Sequence, residues 1–191
     1  MIKCYNCGME TESYNGVHIS SKNVSRFICS KCYNESVSEE MGLNFEHLSF
    51  HPLTLADKDG EDHSFHFRPL LHGDHLLIEA FEIKDSEPKG YKYSIHGYAE
   101  DDLFHLFGKL VERMRRELQR RHIEAGYLNR YNITDNHTVR GHITWDDDTD
   151  GELPCLVIDG KEVSWHEFGR MVMTYEGFHF KLEIFEGTKE K

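Results

Sequence analysis

The residues Cys4-Tyr5-Asn6-Cys7-Gly8 and Cys29-Ser30-Lys31-Cys32 place two Cys-x-x-Cys pairs in the first 32 positions of the chain. A two-residue spacing lets both thiolates of a tight turn point at one ion, and Gly8 supplies the left-handed backbone freedom that such a turn often needs. Four thiolates match the closed tetrahedral shell of a structural zinc ion. The sequence therefore predicts one structural Zn²⁺ per chain, bound by Cys4, Cys7, Cys29 and Cys32. Iron is the alternative metal for an all-sulfur site, and two redox motifs are disfavoured because no βαβ pattern surrounds them.

The residues around the second pair predict a hairpin followed by a helix. Tyr14-Asn15-Gly16 is a turn signal, residues 17–19 and 24–29 read as short strands, and the segment after Cys32 predicts a helix that ends at Gly42. This order, together with Cys4-x-x-Cys7-Gly8 and Phe27-Ile28-Cys29-x-x-Cys32, resembles the treble-clef zinc-binding domain of the unfoldase ClpX. The resemblance covers residues 1–42 and is specific for the ligands. In that family the finger mediates dimerisation and adaptor binding, and other treble clefs bind nucleic acids.

Composition excludes several classes of protein. The chain has 191 residues and a formal charge of −12, from 22 Lys and Arg against 34 Asp and Glu, which argues against a generic nucleic-acid binder. No run approaches the roughly 18 apolar residues of a membrane helix, and the N-terminus has no apolar signal core. Five cysteines indicate metal ligands plus one free thiol, Cys155, rather than a disulfide framework. We therefore expect a cytoplasmic protein without membrane segments.

Residues 43–191 predict a second, α+β domain. A meander of four short strands is expected from alternating apolar residues and intervening turns at 48–55, 63–67, 76–83 and 91–98. The spacing of apolar residues then becomes that of a helix over about 101–125, and Gly126 is expected to end this helix. Further strands are expected at 138–145, 153–158 and 178–185.

A second, shorter helix is expected to begin at the capping box Ser164-Trp165-His166-Glu167 and to reach about Thr174. The predicted fold class is thus α+β, with two domains. A small N-terminal treble-clef zinc finger (1–42) precedes an antiparallel sheet packed by one long and one short helix (43–191).

Histidines form the first candidate site beyond the cysteines, because six of the 14 lie between His47 and His75. They raise the hypothesis of a second, hydrolytic metal site in this His47–His75 cluster. On a strand, however, His63 and His66 point to opposite faces and cannot easily share an ion. The favoured alternative is a set of half-exposed strand histidines that become charged below about pH 6.5.

An acidic segment forms the second candidate. Asp146, Asp148, Asp150 and Gly151 fit the opening of a calcium-binding EF-hand loop, but the twelfth position is Val157 and strands flank the segment. An exposed hairpin turn is the favoured interpretation, with weak calcium binding at Asp146–Asp150 as the alternative.

A basic stripe on the long helix is the third candidate. Its members are Lys109, Arg113, Arg116 and Arg120, flanked by Arg115 and Arg121. These basic side chains are suited to binding phosphate groups or an acidic protein partner. A solvated face with ion pairs, each worth under about 1 kcal/mol, is favoured because the whole chain is acidic.

These observations predict a zinc-binding, non-enzymatic interaction or adaptor protein that binds another protein. A homo-oligomer is also compatible with the sequence. One alternative is a nucleic-acid-associated regulator that uses the finger and the Arg stripe of helix 101–125. Another is a metal-dependent hydrolase at the His47–His75 cluster. No catalytic or cofactor-binding residue is predicted, because the GxSxG, Walker A and GxGxxG motifs are absent.

Overall fold

The computed structural model describes residues 1–21, 24–127 and 129–185, and it has the α+β fold with antiparallel sheets that the sequence predicts. Two hairpins and a helix make up the N-terminal segment: β1 (Ile2–Lys3), β2 (Glu10–Thr11), β3 (Gly16–Ser21), β4 (Val24–Cys29) and α1 (Ser30–Met41). Gly42 ends α1 in the left-handed region, with φ of 65°, as the sequence indicated. Positions 22 and 23, between the strands predicted at 17–19 and 24–29, lie outside the described part of the chain.

A four-stranded meander follows, and it confirms the predicted succession of four strands, although the last three are longer than predicted, with 11, 10 and 12 residues. Its strands are β5 (Leu53–Ala56), β6 (Asp62–His72), β7 (His75–Lys84) and β8 (Glu87–Tyr98), each hydrogen-bonded antiparallel to the next. Asp85 and Ser86 join β7 to β8 with φ of 52° and 67°, as a two-residue hairpin turn of type I′ requires. Helix α2 (Leu103–Leu118) packs on one face of this sheet and forms the main core with it.

The long helix is shorter than the sequence predicted, because α2 ends at Leu118 rather than near residue 125. Its buried apolar side chains stop at Leu118. Beyond it, the backbone N–H groups of His122 and Ile123 donate to Asp159 Oδ2 at 2.7 and 2.8 Å. These donors are therefore satisfied by a distant carboxylate, and residues 123–125 form a strand instead of a last helical turn.

The C-terminal part builds its own small core. Its elements are β9 (Ile123–Ala125), β10 (Tyr131–Ile133), β11 (His142–Trp145), β12 (Pro154–Ile158), β13 (Lys161–Ser164) and α3 (Trp165–Met173). The capping box at Ser164 and Glu167 is present. Met171 of α3 packs with Ile123, Ile158 and Val163. The long and the short helix thus pack on different sheets, whereas the sequence placed both on one.

The prediction of a closing strand at 178–185 is wrong, because none of the described sheets includes these residues. Phe178, Phe180, Leu182 and Ile184 alternate with polar residues and are 70–87% exposed.

None of the described helices has the length and apolar character needed to cross a bilayer.

The N-terminal helix covers an open sheet edge through Asn34. Strand β6 pairs with β5 only over Asp62–Phe65, so backbone groups further along that edge need other partners. Asn34, which is fully buried, donates from Nδ2 to the Pro69 carbonyl and accepts at Oδ1 from the Leu71 N–H, both at 2.9 Å. The side-chain amide therefore replaces a neighbouring strand at this point.

A second contact between the N-terminal segment and the sheet is made by Arg68 of β6. Its Nη1 donates to the carbonyls of Tyr14 and Gly16 at 2.9 Å each, and its Nε donates to Glu79 Oε2 at 2.9 Å. Burial raises the pKa of Glu79, but Arg68 and Lys92 outweigh that effect and hold the pKa below its usual range. The ion pair with Glu79 therefore holds Arg68 in the position from which it donates hydrogen bonds to the N-terminal backbone.

We expect Asn34→Ala to lower the free energy of unfolding by roughly 2–4 kcal/mol, because two buried backbone groups of β6 lose their partners. Asn44→Ala, at an exposed position after the same helix, serves as the control and should change stability by less than about 0.5 kcal/mol. Urea unfolding of both variants checks the difference. Equal stabilities would show that the Asn34 amide does not support the edge.

We expect Glu79→Gln to be destabilising by roughly 1–3 kcal/mol at pH 7, with the deficit shrinking below about pH 4.5. A carboxylate whose pKa is lowered by folding stabilises the protein above the pKa of the unfolded side chain, and this stabilisation is lost as the pH falls through the folded-state pKa. Urea unfolding at pH 7 and pH 3.5 measures the change. The exposed Glu87→Gln is the control, and a pH-independent deficit for Glu79→Gln would contradict the account.

Candidate metal centre

The four cysteines of the two pairs converge on one point. Their Sγ atoms all lie within 4.8 Å of one another, and those of Cys7 and Cys29 are 4.0 Å apart. A tetrahedral ion with metal–sulfur distances of about 2.3 Å needs sulfur atoms about 3.8 Å apart. All four thiols are free. Their arrangement can hold one metal ion with a complete shell of four sulfur ligands.

The local backbone explains how these side chains meet. Cys4 and Cys7 lie in the turn after β1, where Gly8 has φ of 72° and its N–H donates to the Cys4 carbonyl at 2.9 Å. Cys29 ends β4 and precedes the first residue of α1, and Cys32 lies in the first turn of that helix. The Cys29 N–H donates to Cys4 Sγ at 3.3 Å, which ties the two pairs together.

The electrostatics of the four thiols are uneven. Burial raises the pKa of Cys4, but backbone N–H groups of Cys7, Cys29 and Asn6 outweigh it and lower that pKa to about 6. For Cys32, burial and the neighbouring cysteines raise the pKa well above its usual range. A single thiolate forms readily at Cys4, but several thiolates in contact repel one another. A bound metal cation removes this repulsion, because it deprotonates the thiols that coordinate it.

The histidines do not form the predicted second cluster. Among the residues that the structure describes, His63 is the only member of the His47–His75 set in a group with metal-binding geometry, and its companions are Asp57 and Glu61. His47 Nδ1 lies 2.9 Å from Asn34 Nδ2, and His66 packs edge-on against Tyr14. The hydrolase hypothesis therefore loses its cluster of converging histidines.

His63 also differs from the expected half-exposed strand histidine, because it is only 4% exposed. Its partners were missed in the sequence because two carboxylates in an acidic turn look like solvated loop residues. The signal that was available is the spacing Asp57-x-x-x-Glu61-x-His63, which crosses a turn at Gly60 into β6.

The acidic segment at Asp146–Asp150 is the connection between β11 and β12, with a 3-10 turn at Asp147–Thr149. Asp146 Oδ1 accepts from the Asp148 N–H at 3.1 Å, so this carboxylate caps the turn. Within the described side chains, the segment contributes no member to a group with metal-binding geometry. The interpretation as a hairpin turn fits this placement, and calcium binding stays a hypothesis.

The basic stripe is largely engaged within the molecule. Arg113 is half-buried and donates to the Ser94 carbonyl at 3.4 Å. Arg120 contacts Glu117 at 3.0 Å, and Arg121 pairs with Asp59 and lies 3.8 Å from Asp57. These contacts agree with the favoured interpretation of a face with ion pairs.

Comparison with sequence families gives three successive matches, each described as a domain of unknown function: DUF7685 at residues 3–44, DUF7686 at 46–119 and DUF7713 at 122–189. The first contains all four cysteines, and none of the three is a ClpX-type family. No curated protein and no solved structure matches the chain.

We expect the four cysteines of the purified protein to hold one metal ion per chain, and Cys32→Ser to lose that equivalent because the tetrahedral shell would be incomplete. Cys155→Ser is the matched control, since Cys155 lies in β12 and its thiol donates to the Val163 carbonyl at 3.6 Å. Elemental analysis of both variants and the parent provides the measurement. Unchanged metal content in Cys32→Ser would reject the four-cysteine site.

Proposed function

We propose that the protein is a zinc-binding, non-enzymatic interaction protein that binds another protein. Zinc is favoured over ions that prefer oxygen ligands, because four thiolates form the closed shell of structural zinc sites, and iron is the alternative ion for such an all-sulfur shell. The succession of a ligand-bearing turn, the β3–β4 hairpin and a second pair opening α1 supports the proposal, because it resembles that of a treble-clef finger. Such a site contributes to folding and assembly rather than to turnover.

The observation that carries the proposed partner binding is the exposed segment at residues 178–185. Its apolar side chains at positions 178, 180, 182 and 184 share a period of two, which is the period of one strand face. These side chains are largely exposed and the segment pairs with none of the described strands. An extended chain of this kind is suited to adding a strand to a partner's sheet, where main-chain hydrogen bonds supply affinity and alternate side chains fill pockets.

Nucleic acid is not the proposed partner. The charge of −12 opposes it. Arg120 of the basic stripe is already paired with Glu117, and the flanking Arg121 is paired with acids of the β5–β6 turn. A protein partner agrees better with an exposed apolar segment.

The test compares the two faces of this segment. A photo-reactive residue at position 184 captures the partner in the producing cells, and the captured protein is then purified and titrated against the full chain. We expect Phe180→Asp combined with Leu182→Asp to weaken binding by more than about tenfold, because the apolar contacts are lost. His179→Asp combined with Lys181→Asp changes the opposite face of the same segment and should leave affinity nearly unchanged.

Two outcomes would contradict the proposal: equal weakening by both pairs of substitutions, or no purified protein that binds the parent chain. Light scattering during size-exclusion chromatography shows whether the captured protein is a second copy of this chain. Retained metal content in both variants confirms that the finger is intact.

A further inference from the structure

The turn between β5 and β6 and the start of β6 bring together two carboxylates and one imidazole. Ligand atoms of Asp57, Glu61 and His63 all lie within 4.8 Å of one another. The N–H groups of Asp59 and Glu61 both donate to Asp57 Oδ1 at 2.9 Å, which fixes that carboxylate and leaves Oδ2 turned toward the imidazole. The group therefore presents a preset donor set of one nitrogen and two carboxylates.

His63 supplies the observation that points to a ligand. The residue is 96% buried, yet its Nε2 atom has no hydrogen-bond partner among the described residues. Asp57 Oδ2 lies 3.6 Å from this atom, beyond the 2.7–3.2 Å range of an N–H···O hydrogen bond. A buried imidazole nitrogen without a partner is costly unless something else occupies the position.

The distance of 3.6 Å suits an intervening ion. A tetrahedral metal bonded to an imidazole nitrogen and a carboxylate oxygen at about 2.1 Å each places these two atoms about 3.4 Å apart. The three residues line a cavity of about 40 Å³, which has room for an ion and one or two waters. Glu61 is exposed at the mouth of this site and gives the ion a route from solvent.

The other ring nitrogen of His63 is held in the manner typical of metal ligands. Its Nδ1 lies 2.7 Å from Glu82 Oε1, and Glu82 is 2% exposed. Glu82 in turn accepts from the Tyr91 N–H at 3.0 Å and contacts Lys84 at 3.0 Å. A carboxylate behind a histidine fixes the ring and directs the free nitrogen at a metal.

We propose that Asp57, Glu61 and His63 bind a divalent first-row metal ion, oriented by Glu82. Mixed imidazole and carboxylate ligands select ions such as Zn²⁺, Mn²⁺ or Fe²⁺ over Ca²⁺ and Mg²⁺. Five basic side chains also line this cavity, so a bound ion competes with them: Lys58, Lys84, Arg120, Arg121 and Lys161. Arg121 pairs with Asp59, and its Nη2 lies 3.8 Å from Asp57 Oδ2. Lys84 pairs with Glu82, which leaves His63 Nε2 without a hydrogen-bond partner of its own among the described residues. This site is separate from the four cysteines and differs from them in having only three protein ligands.

Manganese distinguishes the two sites, since thiolates prefer softer ions. Full-length protein loaded with one equivalent of Zn²⁺ per chain, which fills the four-thiolate site first, is titrated with Mn²⁺, and electron paramagnetic resonance measures the free ion. We expect one saturable Mn²⁺ per chain, with affinity lowered more than about tenfold in Asp57→Asn and His63→Gln, and about 10–100-fold in Glu82→Gln. Asp57→Asn keeps an oxygen for the two turn hydrogen bonds, so it tests the site without removing the turn.

Matched controls lie beside the site. Asp62→Asn changes an exposed carboxylate at the start of β6, and His66→Gln changes a histidine on the opposite face of that strand. Both should bind Mn²⁺ like the parent. The proposal fails if the parent takes up no saturable Mn²⁺ and no second equivalent of Zn²⁺, or if the controls lose affinity as much as the site variants. Cys32→Ser should retain the Mn²⁺ site, which separates this result from the fate of the finger.

Discussion

The hydrogen bonds between the Asn34 amide and the backbone of β6 hold the N-terminal segment and the sheet together. Unpaired backbone groups in a buried strand edge must find partners, and one side chain satisfies both Pro69 and Leu71. Asn34 lies two residues after Cys32 on α1, so whatever fixes the first turn of that helix also fixes the amide. A metal bound by the cysteines would therefore stabilise the sheet edge as well as the finger, which makes the N-terminal segment less independent than a finger of 42 residues appears from its sequence.

A comparable long-range contact organises the other end of the molecule. Asp159, in the turn between β12 and β13, accepts two backbone N–H groups just after α2 and so decides where that helix stops. The same residue lines the cavity that contains His63. The proposed second metal site thus lies where the meander, the end of α2 and the C-terminal strands meet. An ion bound there would affect the relative position of all three.

The parts of the fold that were predictable from sequence are those that nearby residues determine. The paired cysteines, the helix end at Gly42 and the capping box at Ser164 all follow from side chains within a few positions. The end of α2 could not be predicted from nearby residues, because it depends on Asp159, which lies 37 residues beyond His122. Residues 178–185 have the alternation of a strand, but alternation cannot tell whether the fold provides a neighbouring strand.

The two candidate metal sites differ in what they can do chemically. Four thiolates around one ion leave no coordination position for water, so a metal in the finger is confined to structure and assembly. Three protein ligands, as proposed for Asp57, Glu61 and His63, would leave a position on a bound ion for water, and such an ion would lower the pKa of that water. Because the segment at 178–185 and the carboxylate site use different residues, the proposed partner binding and the proposed metal binding can be separated by mutation in the same chain.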